Sequence, residues 1–276
     1  MQPMTIENTL KASIPRDWNA REWPTREGRK CLVIVFTPRS GSTWLGDLLT
    51  KQGTVGFPEE YLNADCLPAT NVELHADREL DYLNGLLATR STPNGIFSIE
   101  TCWGDIVRFS SVDFFEYFKE AQFIHLRRRD VLSQAISLLA ATESGVFHLR
   151  DGTVQGPVRS TPRKDPQEIL VTDQASTFAK LRKWIAHIIN FECATELQFA
   201  VRGIEPTRLY YEDMLENIES VVRKIVGLME AGLAKTPASS FSRTSSPEAL
   251  NVTGRFIEHH REFLLKATSI RPPLFY

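Results

Sequence analysis

Arg39, Ser40, Ser42 and Thr43 crowd around Gly41 in the stretch Thr37-Pro-Arg-Ser-Gly-Ser-Thr43, and together they can hold a multiply charged anion. The arginine brings a fixed positive charge with a planar fork of donors, and the hydroxyls add further donors. The elements that must position them are legible on either side. Cys31 to Phe36 is an apolar, β-branched run, the pattern of a strand buried on both faces. Beyond the loop, Trp44, Leu45, Leu48 and Leu49 recur at helical spacing and Gly53 supplies a stop. Strand, tight polar loop and helix in that order present backbone N–H groups at a helix N-terminus, where partial positive charge favours phosphate or sulfate. A Walker A loop would need a Gly, four residues, then Gly-Lys-Ser/Thr. Here the first Gly is missing and Ser42 follows Gly41, which argues against an ordinary NTPase. A plain connection whose Ser and Thr only cap the helix would leave Arg39 and the density of donors unexplained.

A second basic cluster stands at another strand-to-helix switch. Phe123 to Leu126 reads as a strand and Asp130 to Leu139 as a helix, with Arg127, Arg128 and Arg129 between them. Anionic ligands bind at such carboxyl ends of strands in open α/β sheets. Between the two clusters, Glu59 and Glu60 lie just past the first helix. Adjacent side chains point different ways, so one of them can face a site while the other faces solvent, and a facing carboxylate can accept a proton from a reacting hydroxyl.

The segment from Thr37 to Leu45 resembles the 5′-phosphosulfate loop of sulfotransferases that use 3′-phosphoadenosine 5′-phosphosulfate (PAPS). The form with Arg39, followed by Gly56-Phe-Pro-Glu-Glu-Tyr-Leu62, is most similar to the bacterial Stf0-type carbohydrate sulfotransferases. The resemblance runs, with gaps, from about Cys31 to the final helix. It implies that Pro38, Arg39, Ser40, Gly41, Ser42, Thr43 and Trp44 bind the donor, with Arg39 also catalytic. It implies that Glu60, directly before an aromatic residue, is the general base. Arg129 with Ser137 eight residues later matches the 3′-phosphate element of these enzymes, although which of Arg127, Arg128 and Arg129 points inward stays open. Arg243, in a polar loop before the last helix, matches an arginine that relatives place over the nucleotide. Relatives often carry a Lys near the end of the second strand, where this chain has Glu100, and no role is assigned to it. Tyr210 to Met214 resembles a late structural segment of the family, with Glu212 or Asp213 capping the helix that follows.

The expected fold is therefore α/β, three-layered, with a mainly parallel sheet and helices on both faces, of the P-loop-like sulfotransferase type. The implied reaction is sulfuryl transfer from PAPS, leaving PAP, to a hydroxyl of a carbohydrate or glycolipid, with no metal required and a homodimer possible. A P-loop-like kinase using ATP and a non-catalytic nucleotide-binding protein of the same fold are the alternatives. Residues 30–276 read as one domain after an extension, 1–29, that either packs on the surface or on a partner subunit or forms a partly disordered tail. The segment 143–166 has no hydrophobic period and reads as a lid or acceptor-binding loop, with a plain flexible insert as the alternative.

Composition sets the outer bounds. Hydrophobic residues at 42% and charged residues at 24% are those of an ordinary globular chain, and a net charge of −2 gives no general attraction to nucleic acid or anionic membrane. Cys31, Cys66, Cys102 and Cys193 lack paired spacing and read as reduced, buried thiols. His259 and His260 lack the i, i+4 spacing of a helical metal site. No run approaches the roughly 20 apolar residues of a membrane span, and residues 1–30 lack an apolar signal core; since sulfotransferases of the secretory pathway usually carry an N-terminal anchor, the resemblance implies a cytoplasmic, bacterial protein. On the helix read from Asp173 to Val201, core packing accounts for a stripe of Phe178, Leu181, Trp184, Ile185, Ile188 and Phe191.

Overall fold

In chain order, helix α1 (Ile6–Ser13) precedes strand β1 (Lys30–Phe36), and α2 (Ser42–Gln52), α3 (Leu67–Leu74) and α4 (Glu79–Thr89) lead to β2 (Ile96–Cys102). Short helices α5 (Trp103–Ile106) and α6 (Phe114–Tyr117) lead to β3 (Gln122–Arg127), α7 (Val131–Ser144) and the strand pair β4 (His148–Arg150) and β5 (Thr153–Gln155). A long helix α8 (Gln174–Arg202) then runs into β6 (Thr207–Tyr210), α9 (Tyr211–Leu228) and α10 (Pro247–Ser269). The structure is a computed structural model that describes residues 5–15, 18–25, 28–150, 153–155, 174–233 and 247–273.

β1, β2, β3 and β6 form one sheet in the order β2-β1-β3-β6, and every pairing is parallel. Alternation along β1 divides the core. Leu32, Ile34 and Phe36 face α2 and α9, with Leu45, Leu48, Leu49, Val222 and Ile225. Val33 and Val35 face the other way, toward Phe97, Ile99, Tyr82, Leu83 and the aromatic cluster of Phe114, Phe115 and Phe118. A third apolar cluster joins α7, α8 and α10. Helices thus cover both faces of a central strand that is apolar along its whole buried length, which is why β1 needs no polar face.

Register sets the functional edge. Phe36 pairs with Cys102 of β2 and with Leu126 of β3. The chain therefore leaves β1 at Thr37, β2 at Trp103 and β3 past Arg127 along one carboxyl edge of the sheet, the edge where ligands bind in this architecture.

The structure departs from several expectations. The amino-terminal stretch contributes α1, whose Ile6 and Leu10 are buried in the core cluster, and Asn71 on α3 donates to Leu10 O at 3.2 Å. Within 143–166, His148–Arg150 and Thr153–Gln155 form an antiparallel pair, with Leu149 opposite Val154; residues 151–152 and 156–166 lie outside those described. All four cysteines are free, but only Cys31 is buried: Cys66, at the start of α3, is exposed, and Cys102 and Cys193 are half-buried. Among the described residues, no helix is long and apolar enough to cross a membrane.

Candidate active site

The loop after β1 is a tight turn. Ser40 N donates to Thr37 O at 3.2 Å, Arg39 adopts φ 68° and Gly41 φ 90°. Gly41 meets two demands at once. Its positive φ favours glycine, and a Cβ there would lie 2.7 Å from Tyr211 Cδ2 and 2.8 Å from Met214 Cε. Gly41 is also the N-cap of α2, and among the described residues no side chain caps that helix. The uncapped N-terminus keeps its partial positive charge directed at the loop. Ser40 Oγ is buried with no hydrogen-bond partner, a polar atom that an anionic ligand would satisfy. Gln134 of α7 braces the turn, donating to Thr37 Oγ1 and Pro38 O at 2.8 Å each. Trp44 is half-buried, edge-on to Tyr211 with ring centroids 6.3 Å apart.

Arg39 reaches across to α7 and beyond. Its Nε donates to Ser137 Oγ at 2.9 Å, and its Nη1 donates to Phe147 O. Burial lowers its pKa and the nearby charge of Arg128 lowers it further. Positive charge is thus concentrated in a poorly solvated place, a field that an anion relieves.

The three consecutive arginines separate into different roles. Arg127 is fully buried, paired with Glu192 at 3.0 Å and bonded to the carbonyls of Pro272 and Pro273, so it ties β3 to α8 and the carboxyl-terminal segment. Arg128 stacks over Tyr211, 4.7 Å from the ring centroid, and is the one whose charge is felt by Arg39. Arg129 stacks over Tyr210 at 4.2 Å and bonds Asp213 at 2.6 Å. Ser137 meets Arg39. Glu212 accepts from Arg129 N at 2.9 Å and Asp130 N at 3.2 Å. This corrects the capping role expected of Glu212 or Asp213: α9 starts at Tyr211 with no side-chain cap, and both carboxylates reach across to residues 129 and 130 instead. Asp130 caps α7, accepting from Ser133 N. From the other side, Arg271 donates to the carbonyls of Arg128 and Arg129 while paired with buried Glu192. The backbone of the turn is therefore held from both sides, while the Arg128 side chain lies over Tyr211 with its Nε 4.0 Å from Glu212 Oε1. Arg243 lies outside the described residues.

The carboxyl groups assemble on the opposite side of α2. Glu59 is exposed and Glu60 half-buried, so the adjacent pair does divide between solvent and interior. Asn63 Nδ2 donates to Glu60 Oε2 at 2.8 Å. Burial raises the Glu60 pKa, Asn63 opposes this, and Asp105 at the start of α5 adds to the rise. Pro58 O and Glu100 Oε2 lie 3.0 Å and 3.3 Å from where a Cβ of Gly46 would sit, so this segment and Glu100 pack against the second turn of α2. Sequence reasoning assigned nothing to Glu100. It is 4% exposed, its Oε2 lacks a partner, and burial with the charges of Glu60 and Glu59 pushes its pKa well up. Its one sequence signal was a charge inside an otherwise buried strand.

A consequence is measurable in the stability of the fold. A carboxyl that keeps its proton when folded and loses it when unfolded contributes stability below its unfolded pKa, lost as pH rises toward the folded one. Glu100→Gln removes that term, which is worth about 1.4 kcal/mol per pH unit over the window. The melting temperature of Glu100→Gln relative to the parent is expected to climb as pH goes from about 5 to about 8. A pH-independent difference would mean that Glu100 ionises normally.

A parallel α/β sheet with a cation-lined strand–loop–helix and a raised-pKa carboxyl beside the same helix has the parts of a group-transfer enzyme acting on an anionic donor. The chain belongs to the Stf0 sulphotransferase family, whose model matches residues 101–259. That stretch holds Arg129 and Ser137 and begins after the anion loop and Glu60. A trehalose 2-sulfotransferase of Mycobacterium tuberculosis (strain ATCC 35801 / TMC 107 / Erdman) is 23% identical, over 78% of this chain and 89% of its own. Two solved sulfotransferase domains are also similar. One, from the Synechococcus PCC 7002 olefin synthase, has a TM-score of 0.36 at 11% identity, covering 92% of this chain and 100% of its own. The other, from the curacin biosynthetic pathway, has a TM-score of 0.36 at 14% identity, covering 91% and 94%. Neither likeness is close enough to bear on the site.

Proposed function

We propose that this sulphotransferase draws its sulfuryl group from PAPS and delivers it to a hydroxyl of a carbohydrate or glycolipid. The observation that supports this reading best is the placement of opposite functions around one helix. The uncapped start of α2 carries Arg39, Ser40 and Gly41, and the segment bearing Glu60 packs against its second turn. The name of the trehalose-sulfating relative favours a carbohydrate acceptor.

PAPS, when bound, supplies a sulfuryl group attached to a phosphate leaving group. Glu60 takes the proton of the acceptor hydroxyl as its oxygen bonds to sulfur. Arg39 and the first-turn amides of α2 stabilise the charge that passes to the leaving phosphate. Pro38, Ser42, Thr43 and Trp44 complete the wall of the donor loop. Arg129 and Ser137 are the proposed 3′-phosphate ligands, with Arg128 the competing arginine because its charge already reaches Arg39. Arg243 is proposed to close over the nucleotide, and 143–166 to form part of the acceptor side.

Calorimetric titration with PAP, and with ATP in parallel, tests the donor. PAP is expected to bind in the micromolar range or tighter, and Arg129→Ala to weaken it at least about tenfold, the loss of one charge-assisted pair. A drop seen in Arg128→Ala instead would reassign the 3′-phosphate ligand. ATP binding in place of PAP would turn the reading toward phosphoryl transfer, and intact PAP binding with no transfer to any glycan would leave a binding protein.

A further inference from the structure

Between the last turns of α7 and the first half of α8 lies a cleft of about 720 Å³, lined by Thr142, Glu143, Lys180, Lys183, Trp184 and His187 among others. Its size is that of a small-molecule site. We propose that this cleft binds the sugar ring of the acceptor, with Trp184 as the stacking platform and His187 and the lysines as hydroxyl partners. The proposal rests on the sulfuryl-transfer reading above and adds where, and by which residues, the acceptor is held.

Three observations carry it. First, the stripe on α8 is not wholly core. Phe178, Leu181, Ile185 and Ile188 are buried, whereas Trp184 and Phe191 are only partly buried. Trp184 packs one side on the α7–α8–α10 cluster and leaves the rest of its ring to the cleft. Second, the aromatic row leads from the cleft toward the base. Trp184 meets His187 edge-on with centroids 5.3 Å apart, and His187 meets Phe191 at 4.1 Å. Phe191 in turn packs on Gly104 of α5, its Cζ 3.3 Å from the position of a Cβ there. The next residue, Asp105, is the one whose charge raises Glu60. Third, the opposite wall is joined to the donor loop. Phe147, four residues past Glu143, accepts from Arg39. Contacts thus run from His187 in the cleft through Phe191 to Gly104, beside Asp105, and the chain that leaves the cleft wall at Glu143 reaches Arg39 at Phe147.

The lining chemistry suits a neutral polyhydroxyl compound. A pyranose has an apolar C–H face that an indole covers well, while its edge carries hydroxyls that need partners. Burial lowers the pKa of His187, so it presents a neutral imidazole with one donor and one acceptor. Lys180 and Glu143, paired at 2.6 Å, and exposed Lys183 supply donors and acceptors of both charges at the rim. A simple phenol would use the ring platform and leave the polar rim idle.

The test uses the full chain with PAPS and a panel of trehalose, maltose, sucrose and 4-nitrophenol. For the saccharide turned over, Trp184→Ala is expected to raise acceptor KM about tenfold or more, the worth of one lost aromatic contact with its buried area. PAP affinity is expected to stay at the parent value and Trp184→Phe to restore part of the KM. Lys183→Ala, at an exposed position that folding does not need, should raise the same KM. Unchanged acceptor KM in both Trp184→Ala and Lys183→Ala would overturn the proposal, as would turnover of 4-nitrophenol alone. Should Trp184→Ala fail to fold, Lys183→Ala and Trp184→Phe decide by the same readout. Failure of PAP to bind the parent protein would strike the sulfuryl-transfer reading itself, whereas PAP binding with no effect of these substitutions strikes only the cleft.

Discussion

Glu60→Gln is expected to lower kcat by about 10²- to 10⁴-fold, the usual worth of a positioned general base, while PAP affinity stays at the parent value. Glutamine keeps the shape and the contact with Asn63 but cannot accept the hydroxyl proton. Initial rates with PAPS and a turned-over acceptor, alongside PAP titration, separate the two quantities. The pH profile provides a second reading of the same group. A base works only when ionised, and burial with the Asp105 charge raises the Glu60 pKa while Asn63 holds it down. The acid limb of kcat/KM should therefore lie above the ordinary glutamate range. Asn63→Ala, which deletes the 2.8 Å hydrogen bond to the ionised carboxylate, should move that limb to still higher pH. A limb that ignores Asn63, or activity that survives in Glu60→Gln, would mean that another group takes the proton.

Arg39→Ala is expected to lower kcat/KM for PAPS by about 10²- to 10³-fold, as losing one preorganised charge-stabilising donor does, and to weaken PAP as well. Arg39→Lys should recover part of the binding through its charge without the planar fork that spans two acceptors. Folding should not suffer in step. Burial and Arg128 both disfavour the charge of Arg39, so its removal relieves repulsion while deleting the hydrogen bonds to Ser137 Oγ and Phe147 O, and the melting temperature of Arg39→Ala should stay close to the parent's. This separates a functional residue, kept at an electrostatic cost, from a structural one. Equal PAP binding and turnover in Arg39→Ala would remove the loop from the donor site.

The contrast with Arg127 shows how far sequence alone reaches. Three arginines in a row look equivalent on the page, yet strand alternation turns Arg127 into the interior beside Glu192, while Arg128 and Arg129 emerge past the strand end onto Tyr211 and Tyr210. The partners that sort them lie about 65 to 85 residues away on α8 and α9, a separation that no local pattern encodes. The same is true of Glu212, which looks like a local cap and instead holds the backbone of residues 129 and 130.

The sequence by itself determined the elements at the site, because their signals are local. The apolar, β-branched run from Cys31 to Phe36, buried throughout, cannot be solvated, a helix-spaced row of leucines must bury one face, and Gly41 answers a backbone conformation that side chains resist. Pro38 to Thr43 was visible in this way, whereas Glu60 and the Arg129–Ser137 spacing were singled out by the resemblance to the sulfotransferases rather than by a local physical signal. Only the tertiary structure decided which groups meet: Ser137 with Arg39, Glu100 with the Glu60 side of α2, and Trp184 and His187 with the open wall of α7. Those meetings depend on parallel register and on helices crossing the sheet from distant parts of the chain. Burial, and the pKa shifts that follow from it, exists only once those layers have closed.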